Sequence, residues 1–157
     1  MPGKKTLAGV VGAAAAATLI AIVPHWEGVV LTAAPDPVGI ITACMGDTHD
    51  VHAGEKFTLA ECDIRLENRL TSTAQEIDAC TPLAKMTPGQ RVAFVDFAYN
   101  AGSGKYCSST MAKYVKAGDY PAACAQLSRW VYAGGSVLPG LVKRRAWERA
   151  TCEGKTQ

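Results

Sequence analysis

The chain has 157 residues, 48% of them hydrophobic, with 16 Lys and Arg against 14 Asp and Glu. That length suits one domain with a real core, or two small lobes sharing one. Lys4 and Lys5 account for the whole net charge of +2, and no dense Lys/Arg run follows them, which excludes the basic footprint of a nucleic-acid-binding protein.

Behind Lys4 and Lys5 an uncharged run extends from Leu7 to Val23, 17 apolar or small residues ending before Pro24. A bilayer span needs roughly 20. The run is also weak, since Gly9, Gly12 and the alanines 13–17 contribute little transfer energy compared with leucine. The basic flank predicts an N-terminus held in the cytoplasm and a body sent across the membrane. Two readings of residues 1–23 stay open: a cleaved signal peptide, with several small-residue cleavage sites, or an anchor that inserts and can later leave.

Gly28 reads as a helix stop, which puts Glu27 on the last turn of a preceding helix. From Val29 to Met45 the residues favour strands, broken at "APDPVG" by a turn around Asp36. "GDTHDVHAGEKF" is a polar loop. Thr58 and Glu61 form a capping-box pattern ahead of Cys62, Leu66, Leu70 and Ile77 at helical spacing. Thr87, Pro88 and Gln90 open a second helix in the same way, and its body "RVAFVDFAYNAG" is apolar on nearly every side, as a central buried helix is. Shorter helices follow from near Ser109 to Gly118 and over "DYPAACAQLSRWV", and "PGLVKRRAWERATC" closes the chain as a basic amphipathic helix. Strands followed by helices predict an α+β fold.

Six cysteines stand at 44, 62, 80, 107, 124 and 152, with no CxxC pair and no zinc-ligand spacing to the three histidines. An even, dispersed set fits disulfides in an oxidising compartment. Of the fifteen complete pairings that six cysteines allow, the sequential one is expected: Cys44–Cys62, Cys80–Cys107 and Cys124–Cys152. His25, His49 and His52 are read as surface residues rather than metal ligands, and no cofactor is expected. Trp130 and Trp147 are read as core residues, and Arg144 and Arg145 as structural partners of acids where the lobes meet.

Glu27 and Asp36 lie on different elements of an apolar stretch. Two carboxylates across a cleft are what glycoside hydrolysis uses, one protonated to donate to the leaving oxygen and one ionised. Apolar neighbours such as Trp26 favour a protonated Glu27, and an exposed turn favours an ionised Asp36. The hydroxyl of Thr42 could position a water.

The pattern Glu27, eight residues, Asp36, five residues, Thr42 resembles the catalytic Glu–Asp–Thr triad of phage-type lysozymes, glycoside hydrolase family 24. "EGVVLTAAPDPVGIITACMG" is similar to that family's catalytic stretch. So are "FAYNAGSG" at 97–104, "SST" at 108–110, "RW" at 129–130 and "PGLVKRRAWER" at 139–149. One departure lies beside Gly46, where the family often has an aromatic residue and a His and this chain has Met45 and Asp47. The resemblance implies a lysozyme-like fold, with a small β-rich lobe, a larger helical lobe and a catalytic cleft between them. It implies hydrolysis, with inversion, of the β-1,4 bond between N-acetylmuramic acid and N-acetylglucosamine in peptidoglycan. Glu27 would then be the general acid, and Asp36 and Thr42 would handle the water and the transition state.

Residues 1–23 are similar to the N-terminal segment of signal-anchor-release endolysins, and 24–157 would form the catalytic domain. That implies tethering to the bacterial inner membrane, N-terminus in, then release to the periplasm as a monomer that cooperates with a holin. With no cysteine in the segment, control is expected from its repositioning rather than from a thiol switch. The competing expectations are a secreted lysozyme with a cleaved signal, a lytic transglycosylase, which needs no water-positioning Asp and Thr, and a non-catalytic, membrane-anchored peptidoglycan-binding protein.

Overall fold

The computed structural model describes residues 3–155. The apolar N-terminal run folds as two helices, α1 (Leu7–Val11) and α2 (Ala13–Glu27). They are separated by Gly12, whose φ of 90° is open to glycine at no steric cost. No helix among the described residues is long and apolar enough to cross a membrane. Instead the run packs on the body. Leu7, Val11, Ala15, Ala16, Leu19 and Val23 are buried at helical spacing, and Ala8, Ala13, Ala14, Ala17 and Thr18 face solvent.

Strands β1 (Val30–Pro35) and β2 (Ile41–Cys44) form an antiparallel hairpin with Ala34 opposite Thr42 and Val30 opposite Cys44. A loop then leads to α3 (Leu59–Cys80). Its first turn is closed by the reciprocal Thr58–Glu61 box, with Thr58 N–H donating to Glu61 Oε2 at 2.7 Å and Glu61 N–H to Thr58 Oγ1 at 3.1 Å. Helix α4 (Pro88–Ala101) opens on the second box, at Thr87 and Gln90, and is buried without interruption from Val92 to Ala98. Around it pack α2, α3 and the C-terminal helix α8 (Pro139–Cys152). Helices α5 (Ser103–Cys107), α6 (Thr110–Lys116) and α7 (Tyr120–Gln126) complete the helical lobe. A two-residue-per-strand hairpin, β3 (Tyr132–Ala133) with β4 (Ser136–Val137), turns at Gly134 and Gly135.

The α+β arrangement of a small hairpin lobe on a larger helical lobe agrees with the sequence expectation. So does the cysteine pairing. Cys44–Cys62 joins β2 to α3, Cys80–Cys107 joins α3 to α5, and Cys124–Cys152 joins α7 to α8, with Cα separations of 4.9, 5.8 and 5.6 Å. Helix α4 crosses α8 closely at Gly89. A Cβ at Gly89 would fall inside the van der Waals surface of the Thr151 carbonyl oxygen.

Candidate active site

Glu27 is the last residue of α2, and the Gly28 N–H closes that helix by donating to the Pro24 carbonyl at 2.9 Å. Its carboxylate lies against Gly46, two residues beyond β2. A Cβ at Gly46 would stand 2.7 Å from Glu27 Oε2, and the φ of 75° there independently selects glycine. The peptide before Gly46 is fixed by Tyr99 of α4, whose hydroxyl donates to the Met45 carbonyl at 2.5 Å. Burial, and then the negative charges of Glu27 and Asp47, push the Tyr99 phenol up, so it remains a donor.

From the other side Glu27 is met by α8. Arg144 Nη1 donates to Glu27 Oε1 at 2.5 Å. The remaining edge of that guanidinium forks onto Asp96 of α4, Nε to Oδ2 at 3.0 Å and Nη2 to Oδ1 at 2.9 Å. Burial works against the charge of Arg144, but the hydrogen bonds and charge of Asp96, and then Glu27, outweigh it and hold the guanidinium protonated. Next to it Arg145 donates to Glu148 Oε1 at 2.7 Å and the Trp130 carbonyl at 2.9 Å, hydrogen-bonds Asn100, and lies over the Phe97 ring. Glu148 is fully buried. Burial first, and Asp96 beside it second, push its carboxyl well above the ordinary range.

Asp36 and Thr42 are organised separately, both on Ile40. Asp36 Oδ1 accepts from the Val38 and Ile40 N–H groups, each at 2.9 Å. The Asp36 N–H and the Thr42 hydroxyl both donate to the Ile40 carbonyl, at 2.8 and 3.1 Å. With the Thr42 proton turned to that carbonyl, its oxygen lone pairs are left to accept from a water. Asp36 and Thr42 are thus gathered at the turn end of the β1–β2 hairpin, and Glu27 stands at its open end beside Gly46.

Two cavities flank the contact between Glu27 and Gly46. One, of about 500 Å³, is bounded by Trp26, Glu27, Leu138, Leu141 and Arg144. The other, of about 90 Å³, lies among Gly46, Asp47, Arg69, Thr73 and Tyr99. At the departure from the family pattern, Asp47 is buried and bonds Arg65 Nη1 at 2.9 Å and the His49 N–H at 3.0 Å. Among the described residues no three His, Cys, Asp or Glu side chains converge as a metal site.

Sequence reasoning named Trp26 as the neighbour of Glu27 and treated Arg144 as structural. Arg144 does pair with acids where the lobes meet, but one of them is Glu27 itself. Asp96, Tyr99 and Glu148 were not singled out. The available signal was Asp96, a lone carboxylate inside the otherwise apolar "RVAFVDFAYNAG".

The family profile described as phage lysozyme matches residues 24–148. The SAR-endolysin of Bacteriophage PS119 is 39% identical over 129 residues, which cover 80% of this chain and 75% of that protein. The SAR-endolysin of Enterobacteria phage P21 is 38% identical over 129 residues, covering 80% of this chain and 76% of that one. Among solved structures, the active form of the P1 phage endolysin Lyz superposes with a TM-score of 0.78 at 23% identity, over 94% of this chain and 91% of that one.

Proposed function

Because this chain belongs to the phage lysozyme family, and is a glycosidase of the lysozyme type, we propose that it is an endolysin that cleaves peptidoglycan with Glu27 as general acid. The reaction hydrolyses the β-1,4 bond between N-acetylmuramic acid and N-acetylglucosamine. Glu27 donates its proton to the glycosidic oxygen as the bond to the anomeric carbon breaks. A water held by Asp36 and Thr42 attacks that carbon from the opposite face and gives its proton to Asp36, so the product is inverted. The observation that carries this reading is the placement of Glu27, pinned between Arg144 and Gly46 at the edge of the larger cavity.

The deciding experiment is Glu27→Gln in the full chain, assayed by clearing of outer-membrane-permeabilised Gram-negative cells. The variant is expected to lose clearing while keeping its circular dichroism and melting temperature; an active variant overturns the assignment. Products ending in a reducing N-acetylmuramic acid are expected, whereas 1,6-anhydro ends would mark a lytic transglycosylase. A wild-type chain that binds peptidoglycan without clearing would mark a non-catalytic anchored protein.

Residues 1–23 act, in this reading, as a signal-anchor that leaves the membrane intact when the membrane is depolarised, releasing a monomeric enzyme to the periplasm in cooperation with a holin. The burial of Leu7, Val11, Leu19 and Val23 favours this over a cleaved signal, since cleavage at the alanines would strip side chains from the folded core. The face left to water carries mainly alanine and threonine, which water tolerates. While the segment sits in lipid it cannot fill that core, and Glu27, on the same helix, is out of register. The intact mass of the periplasmic form tests this: a full-length N-terminus supports release, and loss of roughly the first 15–20 residues supports cleavage. Full activity of membrane-tethered enzyme would overturn control by position.

A further inference from the structure

A general acid must present its proton to the leaving oxygen, and Arg144, whose Nη1 lies 2.5 Å from Glu27 Oε1, is placed to set the angle of that carboxyl. The opposing charge is Asp96. It is fully buried, it takes two of the three guanidinium bonds of the nearly buried Arg144, and it does so in the stronger bidentate form. We propose that Asp96 is a positioning residue for catalysis, one that fixes Arg144 in place and offsets its charge, so that Arg144 aims the Glu27 carboxyl. The inference rests on the reading of Glu27 as the acid.

Glu148 fits this role for Asp96. Its Oε1 accepts from Arg145, and its buried Oε2 faces no donor. Burial, and then Asp96 beside it, push the Glu148 carboxyl up, which leaves the fork of Arg144 to Asp96. The other titratable groups beside the site are Tyr99 on α4, with Asp47 in the loop beyond β2 and Arg69 on α3 near it, and Lys143 on α8, which lines the same cavity as Glu27. Removing Asp96 leaves each of these in place.

The test is the pH profile of clearing by the full chain. Its alkaline limb follows loss of the acid's proton. In Asp96→Asn the uncompensated Arg144 should move that limb to lower pH by about one unit or more. The double variant Asp96→Asn/Arg144→Met removes both buried charges together, which protects folding, and its limb should rise above that of the wild type. Opposite movements support the proposal. Limbs that do not move in opposite directions in the two variants overturn it, at whatever rate. An active Glu27→Gln would instead overturn the acid assignment, so the two failures are told apart.

Discussion

Arg144 and Glu27 are 117 positions apart in the chain and 2.5 Å apart in the fold, and no other ion pair joins the N-terminal helix α2 to the C-terminal helix α8 among the described residues. The pair lets a helix synthesised more than a hundred residues later complete the surroundings of the Glu27 carboxylate.

Arg144→Lys keeps the charge but lacks the planar fork that reaches Glu27 and Asp96 together. Misplacement of a reacting group by an ångström costs on the order of 10²-fold, and the variant should lose clearing rate by about that factor. The rate measured beside a melting curve checks it; a loss of under about threefold would show that orientation by the fork is not needed.

Gly46→Ala should act on the same carboxylate from the opposite side. The new Cβ would lie 2.7 Å from Glu27 Oε2, so the carboxylate must turn away from its place beside Arg144. The left-handed backbone adds about 1–2 kcal/mol of destabilisation for a residue with a side chain. Activity should therefore fall far more than stability does, which clearing rates and thermal unfolding read separately.

Glu148 gives stability a definite dependence on pH. Its folded-state carboxyl holds a proton well above the ordinary value. Below the ordinary value both states are protonated, and its contribution is fully present. Above it the unfolded chain releases the proton and the folded chain does not, so stability declines at about 1.4 kcal/mol per pH unit until the raised value is passed. Glu148→Gln has no proton to lose, and its amide can still donate toward Asp96. The melting temperature of the variant relative to the wild type should rise between pH 5 and pH 8; parallel curves would show that Glu148 is ionised throughout.

Leu19→Ala tests whether the N-terminal run is part of the folded core. Leu19 is fully buried and Ile20 is 42% exposed. Emptying the first site should cost about 2–5 kcal/mol, while Ile20→Ala should stay within about 0.5 kcal/mol. Equal effects, read by thermal unfolding of the full chain, would contradict the packing of α2 on α4.

What was legible in the sequence was local or topologically simple. Both capping boxes, the stop at Gly28 and the turn around Asp36 depend on residues within a few positions of each other. The fold class followed from their order. The break at Gly12, the short α5 and the β3–β4 hairpin were not read, because a single glycine or a pair of them supports several local outcomes. That Arg144 and Arg145 meet acids where the lobes join was legible, but which groups they meet was hidden for another reason. "VKRRAWER" has the composition of a solvated helix, and Arg144 and Arg145 turn inward because Asp96, Asn100, Glu148 and the Trp130 carbonyl meet them. Three of those partners are 15–48 positions away.

Helix α2 runs unbroken from Ala13 to Glu27, past Pro24, so it behaves as a shaft with the carboxylate mounted at its end. One residue of axial slip in such a shaft corresponds to about 1.5 Å of travel and roughly 100° of rotation. A translation too small to unseat Leu19 or Val23 completely would still swing Glu27 out of the angle between Arg144 and Gly46. Alignment of the Glu27 carboxylate is therefore coupled to the screw position of a helix whose other end begins at Gly12.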